Sequence, residues 1–241
     1  MRYTILSDIH GNLPALQAVL DAVAQEKTDC YLFVGDVVGY GANPHECIEI
    51  LRNLSAVSIM GNHDGAVVDK VNLDYFNDIA REAIAWTKKH APREDMGFLD
   101  HLKLLYKNED LILAHGTLHE PEAFHYLMDK QQATESFLLV DRPVCFVGHS
   151  HIPGVFIKKE KEIQYSSKID FHLEEQCRYI VNVGSVGQPR DRDPRAAYCL
   201  FDTDSKEIIL KRVSYDIEEA QKRILEAGLP LFLASRLAVG Q

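Results

Sequence analysis

Five times in this chain a short apolar run stops at residues that bind metal ions or carry protons. Tyr3-Thr4-Ile5-Leu6 runs into Ser7-Asp8-Ile9-His10-Gly11-Asn12, residues 30–34 into Gly35-Asp36, and residues 56–60 into Gly61-Asn62-His63-Asp64. Residues 110–114 are followed by His115-Gly116, and residues 144–147 by Gly148-His149-Ser150-His151. A short continuous apolar run is the mark of a strand covered on both faces. In open α/β sheets ligands bind outside the carboxyl ends of such strands. A chain that repeats this arrangement is constrained to gather its polar strand exits along one edge. Asp8 and His10, two residues apart, are expected to leave their strand on the same side.

Helical patterns separate the first strands. Asn12 is a candidate N-cap for a helix opened by Leu13-Pro14, with Leu13, Leu16, Val19, Leu20 and Val23 on one face. Asn43-Pro44-His45-Glu46 has the form of a capping box ahead of Cys47, Ile48 and Leu51. Phe76, Ile79, Ala83 and Trp86 recur at helical spacing, and Pro92-Arg93-Glu94 starts a further helix. Residues 66–102 therefore read as a helical insertion bordering the site. After Pro153 the pattern becomes short alternating strands with polar turns, which suggests one antiparallel sheet, and residues 216–238 close the chain as helix around Gly228-Leu229-Pro230. No repeat, low-complexity tract or linker interrupts the 241 residues. A single domain over 1–241 with two packed sheets is expected.

The net charge of −10, from 36 acidic and 26 basic side chains, disfavours non-specific attraction to nucleic acid or an anionic membrane. No apolar stretch approaches the ~18 residues of a membrane span, and no basic leader precedes an apolar one. The five cysteines never form C-x-x-C, and Cys30, Cys145 and Cys199 sit in apolar runs, so reduced thiols and a cytoplasmic location are expected.

Together, Asp-x-His, Gly-Asp, Gly-Asn-His-Asp, a His before Gly, and Gly-His-Ser-His, in this order, resemble the calcineurin-like metallophosphoesterase superfamily. The resemblance spans residues 5–151. It implies an α/β fold, a four-layer α-β-β-α sandwich of two mixed sheets flanked by helices. It also implies two divalent ions, one held by Asp8, His10 and His151, the other by Asn62, His115 and His149, with Asp36 between them. Mixed carboxylate, amide and imidazole donors suit Mn²⁺ first, with Fe, Zn²⁺, Ni²⁺ or Co²⁺ as alternatives, and no thiolate is offered for a structural zinc. Two aspartates and a bridging hydroxide offset all but about one of the positive charges of two such ions, which still attracts a phosphoester anion. The mechanism the resemblance implies is direct in-line attack by that hydroxide, with His63 acting at the leaving oxygen. Asp64 is left without a role.

Protein phosphatases and dinucleoside-tetraphosphate hydrolases of the superfamily carry an arginine shortly after Gly-Asp, whereas here the sequence is Gly35-Asp36-Val37-Val38-Gly39-Tyr40-Gly41. The chain is instead similar to the small bacterial and archaeal phosphodiesterases of the superfamily. The expected substrate is a small phosphodiester or phosphomonoester, with a nucleotide among the candidates. The alternatives are a protein Ser/Thr phosphatase, a dinucleoside-polyphosphate hydrolase, or a scaffold that uses the fold to bind a partner through the helical insertion. In the stretch from Asn182 to Arg195, Arg190 is the first candidate for a substrate contact. Asp191 and Asp193 compete for Arg190, Arg192 and Arg195 as purely structural partners. His45, His90, His101, His119, His125 and His172 are expected to be ordinary surface residues.

Overall fold

The computed structural model describes all 241 residues. Twelve strands form two six-stranded sheets. The first half of the chain alternates β1 (Arg2–Leu6), α1 (Leu13–Val23), β2 (Cys30–Phe33), α2 (Pro44–Asn53), β3 (Val57–Ser58) and a short helix α3 (Asn62–Val67). Helices α4 (Asp78–His90) and α5 (Arg93–His101) follow, then β4 (Leu105–Lys107), β5 (Leu111–Ala114), α6 (Lys130–Phe137) and β6 (Val144–Val147). The remainder comprises β7 (Gly154–Lys159), β8 (Glu162–Ser166), β9 (Asp170–His172), β10 (Cys177–Asn182), β11 (Ala196–Asp202) and β12 (Glu207–Val213), closed by α7 (Ile217–Glu226) and α8 (Leu231–Ser235).

The first sheet has the order β3-β2-β1-β11-β12-β9 and the second β4-β5-β6-β10-β7-β8. Each contains three mutually parallel strands: β1, β2 and β3 in the first, β5, β6 and β10 in the second. Strand alternation sorts their side chains into layers. Tyr3 and Ile5 of β1 meet Leu111, Leu113, Val144 and Phe146 between the sheets. Leu6 and Phe33 face the core under α1, α2 and α7, while Ile112, Ala114, Cys145 and Val147 face α6 through Ala133 and Phe137. The result is the four-layer α-β-β-α sandwich.

The late strands correct the expectation of one antiparallel sheet. Strands β7, β8 and β10 join the second sheet, β9, β11 and β12 the first, and β10 runs parallel to β6. Alternation specifies which face of a strand is buried but not which strand lies beside it. The expected capping box at α2 is also absent, since Asn43 Nδ2 donates to Glu46 Oε1 at 2.8 Å and the Asn43 side chain caps no backbone group. In α4 the buried face is Ala80, Ala83, Ile84 and Thr87; Phe76 precedes the helix and Trp86 lies at its edge. Of the strand expected over residues 56–60, only Val57 and Ser58 pair in a ladder, with Ile59 bridging to Lys103.

Candidate metal centre

All the parallel strands end at one edge of the sandwich, and there the backbone departs from strand geometry. β1 stops at Leu6, and Asp8 and His10 both adopt left-handed φ, 52° and 51°. Asp36, His149 and His151 do the same at 62°, 65° and 59°. Strand alternation is therefore not what aims Asp8 and His10 together; two left-handed residues do so. For residues with a Cβ this costs about 1–3 kcal/mol each and persists where surrounding contacts impose it. Those contacts are visible: Asp8 and His10 donate their amides to Gly35 and Asp36 carbonyls at 3.0 Å, and Gly11 donates to Val37 at 2.8 Å. A Cβ at Gly61 would overlap Asp36 Oδ1, and one at Gly148 would overlap Ser7 Oγ, so the glycines ahead of Asn62 and His149 let the loops close up.

The side chains converge as three groups of donors, each within 4.8 Å: Asp8, His10 and His151; His10, Asp36 and His63; Asp36, His115 and His149. All of these residues are buried. His10 Nδ1 donates to Val38 O at 2.8 Å, His115 Nδ1 to Val34 O at 2.7 Å and His151 Nδ1 to Gln188 O at 2.6 Å. A carbonyl only accepts, so these bonds place the hydrogen on Nδ1 and leave each neutral ring with a bare lone pair on Nε2. Burial pushes the His10, His149 and His151 imidazoles well below their usual range, so they stay neutral. Yet His10 Nε2 lies 3.2 Å from His151 Nε2, and Asp8 Oδ1 is 3.3 Å from His151 Nε2. Burial raises the Asp8 carboxyl to about 7, and once it is ionised none of these three atoms can donate to the others.

Each carboxylate has one oxygen tied down and one free. Asp8 Oδ2 accepts from Ser7 Oγ at 2.6 Å and His149 N at 3.1 Å, while Oδ1 has no hydrogen-bond partner. Asp36 Oδ1 accepts from His63 N at 2.8 Å; its Oδ2 stands 3.7 Å from His10 Nε2 and 3.2 Å from His115 Nε2, between the two donor sets. Burial alone would lower His115, but the Asp36 carboxylate beside it raises the imidazole to about 9, so unlike His10 and His151 its Nε2 carries a proton toward Asp36 until a cation displaces it. Asn62 Oδ1 is buried and unpartnered. Unsatisfied buried acceptors with this mixture of oxygen and imidazole nitrogen fit divalent cations.

Asp64 has a defined place. Its carboxylate accepts the amides of Asp36 (2.7 Å), Gly61 (3.0 Å), Val37 (2.9 Å) and Val38 (3.3 Å), binding the exit of β2 to that of β3. The loop after β10 braces the centre from behind. Ser185 Oγ donates to Asp8 O at 2.7 Å, Gly187 N donates to the same carbonyl at 3.0 Å, and Gln188 O receives His151. In that loop Arg195 pairs with Asp193 at 2.6 Å, and Asp191 pairs with Arg212. Arg190 has no acidic partner: it donates to Gln188 Oε1 at 2.8 Å, lies over Tyr40 and lines the cavity at the centre.

Sequence reasoning missed the aromatic frame. His63 sits between Tyr40 (4.5 Å between centroids) and Phe76 (5.1 Å), and Tyr126 stacks on His149 at 4.0 Å. Nothing local in the sequence marks Phe76 or Tyr126. Of the histidines assigned to the surface, His125 lines the cavity and His45 Nδ1 donates to Oδ2 of buried Asp95 in α5 at 2.9 Å. All five cysteines are free thiols; Cys30 is half-buried and the other four are buried. No helix is long and apolar enough to cross a membrane.

The four-layer α/β sandwich carries a buried carboxylate–imidazole cluster, a candidate metal site, at its strand ends. Residues 1–206 match the calcineurin-like phosphoesterase superfamily domain, and the chain belongs to that family. It is similar along its length to a metallophosphoesterase from Sphaerobacter thermophilus, with a TM-score of 0.87 and 38% identity covering 100% of this chain and 99% of that one. An uncharacterized protein of Methanocaldococcus jannaschii, MJ0912, is 42% identical over 241 residues, covering 98% of this chain and 97% of the relative. Phosphodiesterase YfcE of Escherichia coli K12 is 26% identical over 216 residues, covering 87% and 91%.

Proposed function

We propose that this chain is a cytoplasmic, divalent-metal-dependent phosphodiesterase of small substrates that also accepts small phosphomonoesters. The observation that carries this reading is the cluster of bare acceptors, His10 Nε2, His151 Nε2 and Asp8 Oδ1, a buried set whose mixed oxygen and nitrogen donors suit a divalent cation. Asp8, His10 and His151 would hold one ion, Asn62, His115 and His149 a second, and Asp36 would serve both; Mn²⁺ is the expected metal. Two such ions supply Lewis-acid activation of water and charge neutralisation at phosphorus.

The chain's own groups do the rest. Hydrolysis joins a water oxygen to phosphorus, breaks the bond to the leaving oxygen and delivers a proton to it. Burial lowers His63 to about 4, so it is neutral and donates a hydrogen bond to the departing oxygen from its slot between Tyr40 and Phe76, while the proton that oxygen takes up is the one the attacking water gives up. Arg190, free of any carboxylate, faces the negative oxygens of the phosphate. Val37 and Val38, which follow Asp36, are fully buried, so that loop brings no guanidinium to a protein phosphate or a polyphosphate. The free thiols, four of them buried, support a reducing compartment.

Purified protein with Mn²⁺ and bis(p-nitrophenyl) phosphate tests the reading. Release of p-nitrophenolate is expected. Absence of turnover with every one of Mn²⁺, Ni²⁺, Co²⁺ and Zn²⁺ overturns it.

A further inference from the structure

The metal centre opens into a cavity of about 720 Å³, far more than one phosphoryl group fills and within the ~300–1,000 Å³ range of small-molecule sites. Its outer walls come from two segments outside the metal motifs, residues 70–80 ahead of and into α4 and residues 122–126 after β5. These walls are aromatic. Tyr75 is 85% exposed at the end of a single 3-10 turn that Asn72 caps, an unusual place for a phenol ring with no packing role. Tyr126 has one face on His149, 4.0 Å away at 17°, and is 47% exposed, which leaves its other face free.

The charge on these walls is close to balanced. Lys70 is tied to Asp100 at 2.9 Å, so its ammonium is already paired. Glu122 lines the cavity with no basic partner. Of the two basic side chains that line the cavity, Lys70 and Arg190, only Arg190 is without a carboxylate. A row of phosphates would need a cationic strip here and would meet Glu122 instead. A flat, uncharged ring would meet Tyr75 and Tyr126, and a hydroxyl or amino group on it would find the Glu122 carboxylate as acceptor.

Building on the phosphodiesterase reading above, we infer that this cavity takes the nucleoside part of a single-phosphate ester, stacking its base on Tyr75 and Tyr126. Two diesters with the same p-nitrophenolate leaving group separate this from the chemistry: thymidine 5′-p-nitrophenyl phosphate and ethyl p-nitrophenyl phosphate. The nucleoside ester is expected to have a kcat/KM roughly tenfold higher or more, the scale of one base–aromatic stack. Tyr75→Ala and Tyr126→Ala should each reduce that ratio several-fold, and Tyr75→Trp should keep it. As a readout independent of turnover, AMP should bind the Mn²⁺-loaded His63→Ala protein about tenfold more tightly than ribose 5-phosphate by calorimetry.

A ratio near one, or a ratio that neither tyrosine substitution changes, overturns the subsite and leaves the phosphodiesterase reading standing. Failure to hydrolyse either ester while AMP is still preferred over ribose 5-phosphate does the reverse. A higher kcat/KM for diadenosine tetraphosphate than for the thymidine ester overturns the restriction to one phosphate.

Discussion

The two sheets share a plan, three parallel strands continued by antiparallel ones, but bring different chemistry to their common edge. The first sheet supplies both carboxylates, Asp8 and Asp36, with His10 and the Asn62 amide; the second supplies only the imidazoles of His115, His149 and His151. The anchoring differs in the same way. The carboxylates are held by backbone N–H groups and a hydroxyl, which donate to one oxygen and leave the other free. Three of the four imidazoles are held by carbonyls that fix the hydrogen on Nδ1. The first sheet thus sets the charge of the centre, and the second sets which lone pairs complete it.

The sharpest way to break this contrast is to neutralise one member of each set. Asp36→Asn removes charge from the point between the two donor groups, so both ions should weaken. Metal content by plasma mass spectrometry should fall well below two per chain, and activity should drop by more than the ~10–100-fold of an outer-partner substitution. His149→Ala removes one neutral ligand from one group and should leave about one tightly held ion. Equal metal content in the two variants would show that charge and lone pairs are not divided between the sheets in this way.

His63 separates metal binding from catalysis. His63→Ala should lower turnover by ~10²–10⁴-fold, the range of a group positioned at the proton transfer, with both ions retained. Loss of an ion in that variant would place His63 among the ligands, where its distance to His10 and Asp36 also admits it.

Asp64 tests the anchoring. In Asp64→Asn one oxygen remains for Val37 and Val38, but an NH₂ group meets the amides of Asp36 and Gly61. Two buried donors without acceptors should cost about 2–4 kcal/mol in urea unfolding. Activity should fall ~10–100-fold as the β2 exit loosens.

The side chains that converge at the centre were legible because they sit near strand ends and glycines, and the resemblance of five such pieces in order supplied the proposed pairing. Four things were not legible, for physical reasons. Asp64 acts on amides 26–28 residues away, a contact that no local pattern encodes. The left-handed φ of Asp8, His10, Asp36, His149 and His151 is imposed by neighbouring loops and not by residue type, so strand alternation gave the right convergence for the wrong reason. The division of β7–β12 between the sheets depends on which strands lie adjacent, and alternation is silent about that. Tyr75 and Tyr126 carry no motif at all; only the cavity gathers them.

The loop after β10 repeats the contrast between anchored and free groups on a smaller scale, and it gives the smallest expected effect. Arg190 turns inward without a carboxylate, whereas Arg195 is matched to Asp193 through both carboxylate oxygens, at 3.0 and 3.2 Å from Nε and 2.6 Å from Nη2. The Arg195 hydrogen bonds hold the Asp193 carboxyl down at about 2. A carboxylate depressed in the folded state stabilises above its unfolded value of about 3.8 and loses that contribution as pH falls through about 2. The pair is largely solvated, so Arg195→Ala should cost no more than ~1 kcal/mol at pH 7, and less in high salt. Below about pH 4 the difference between Arg195→Ala and the parent in urea midpoints should shrink, because Asp193 protonates there in the unfolded chain and in the variant, and in the folded parent only near pH 2. KM should change in Arg190→Ala and not in Arg195→Ala; the opposite result would exchange the roles of the two arginines.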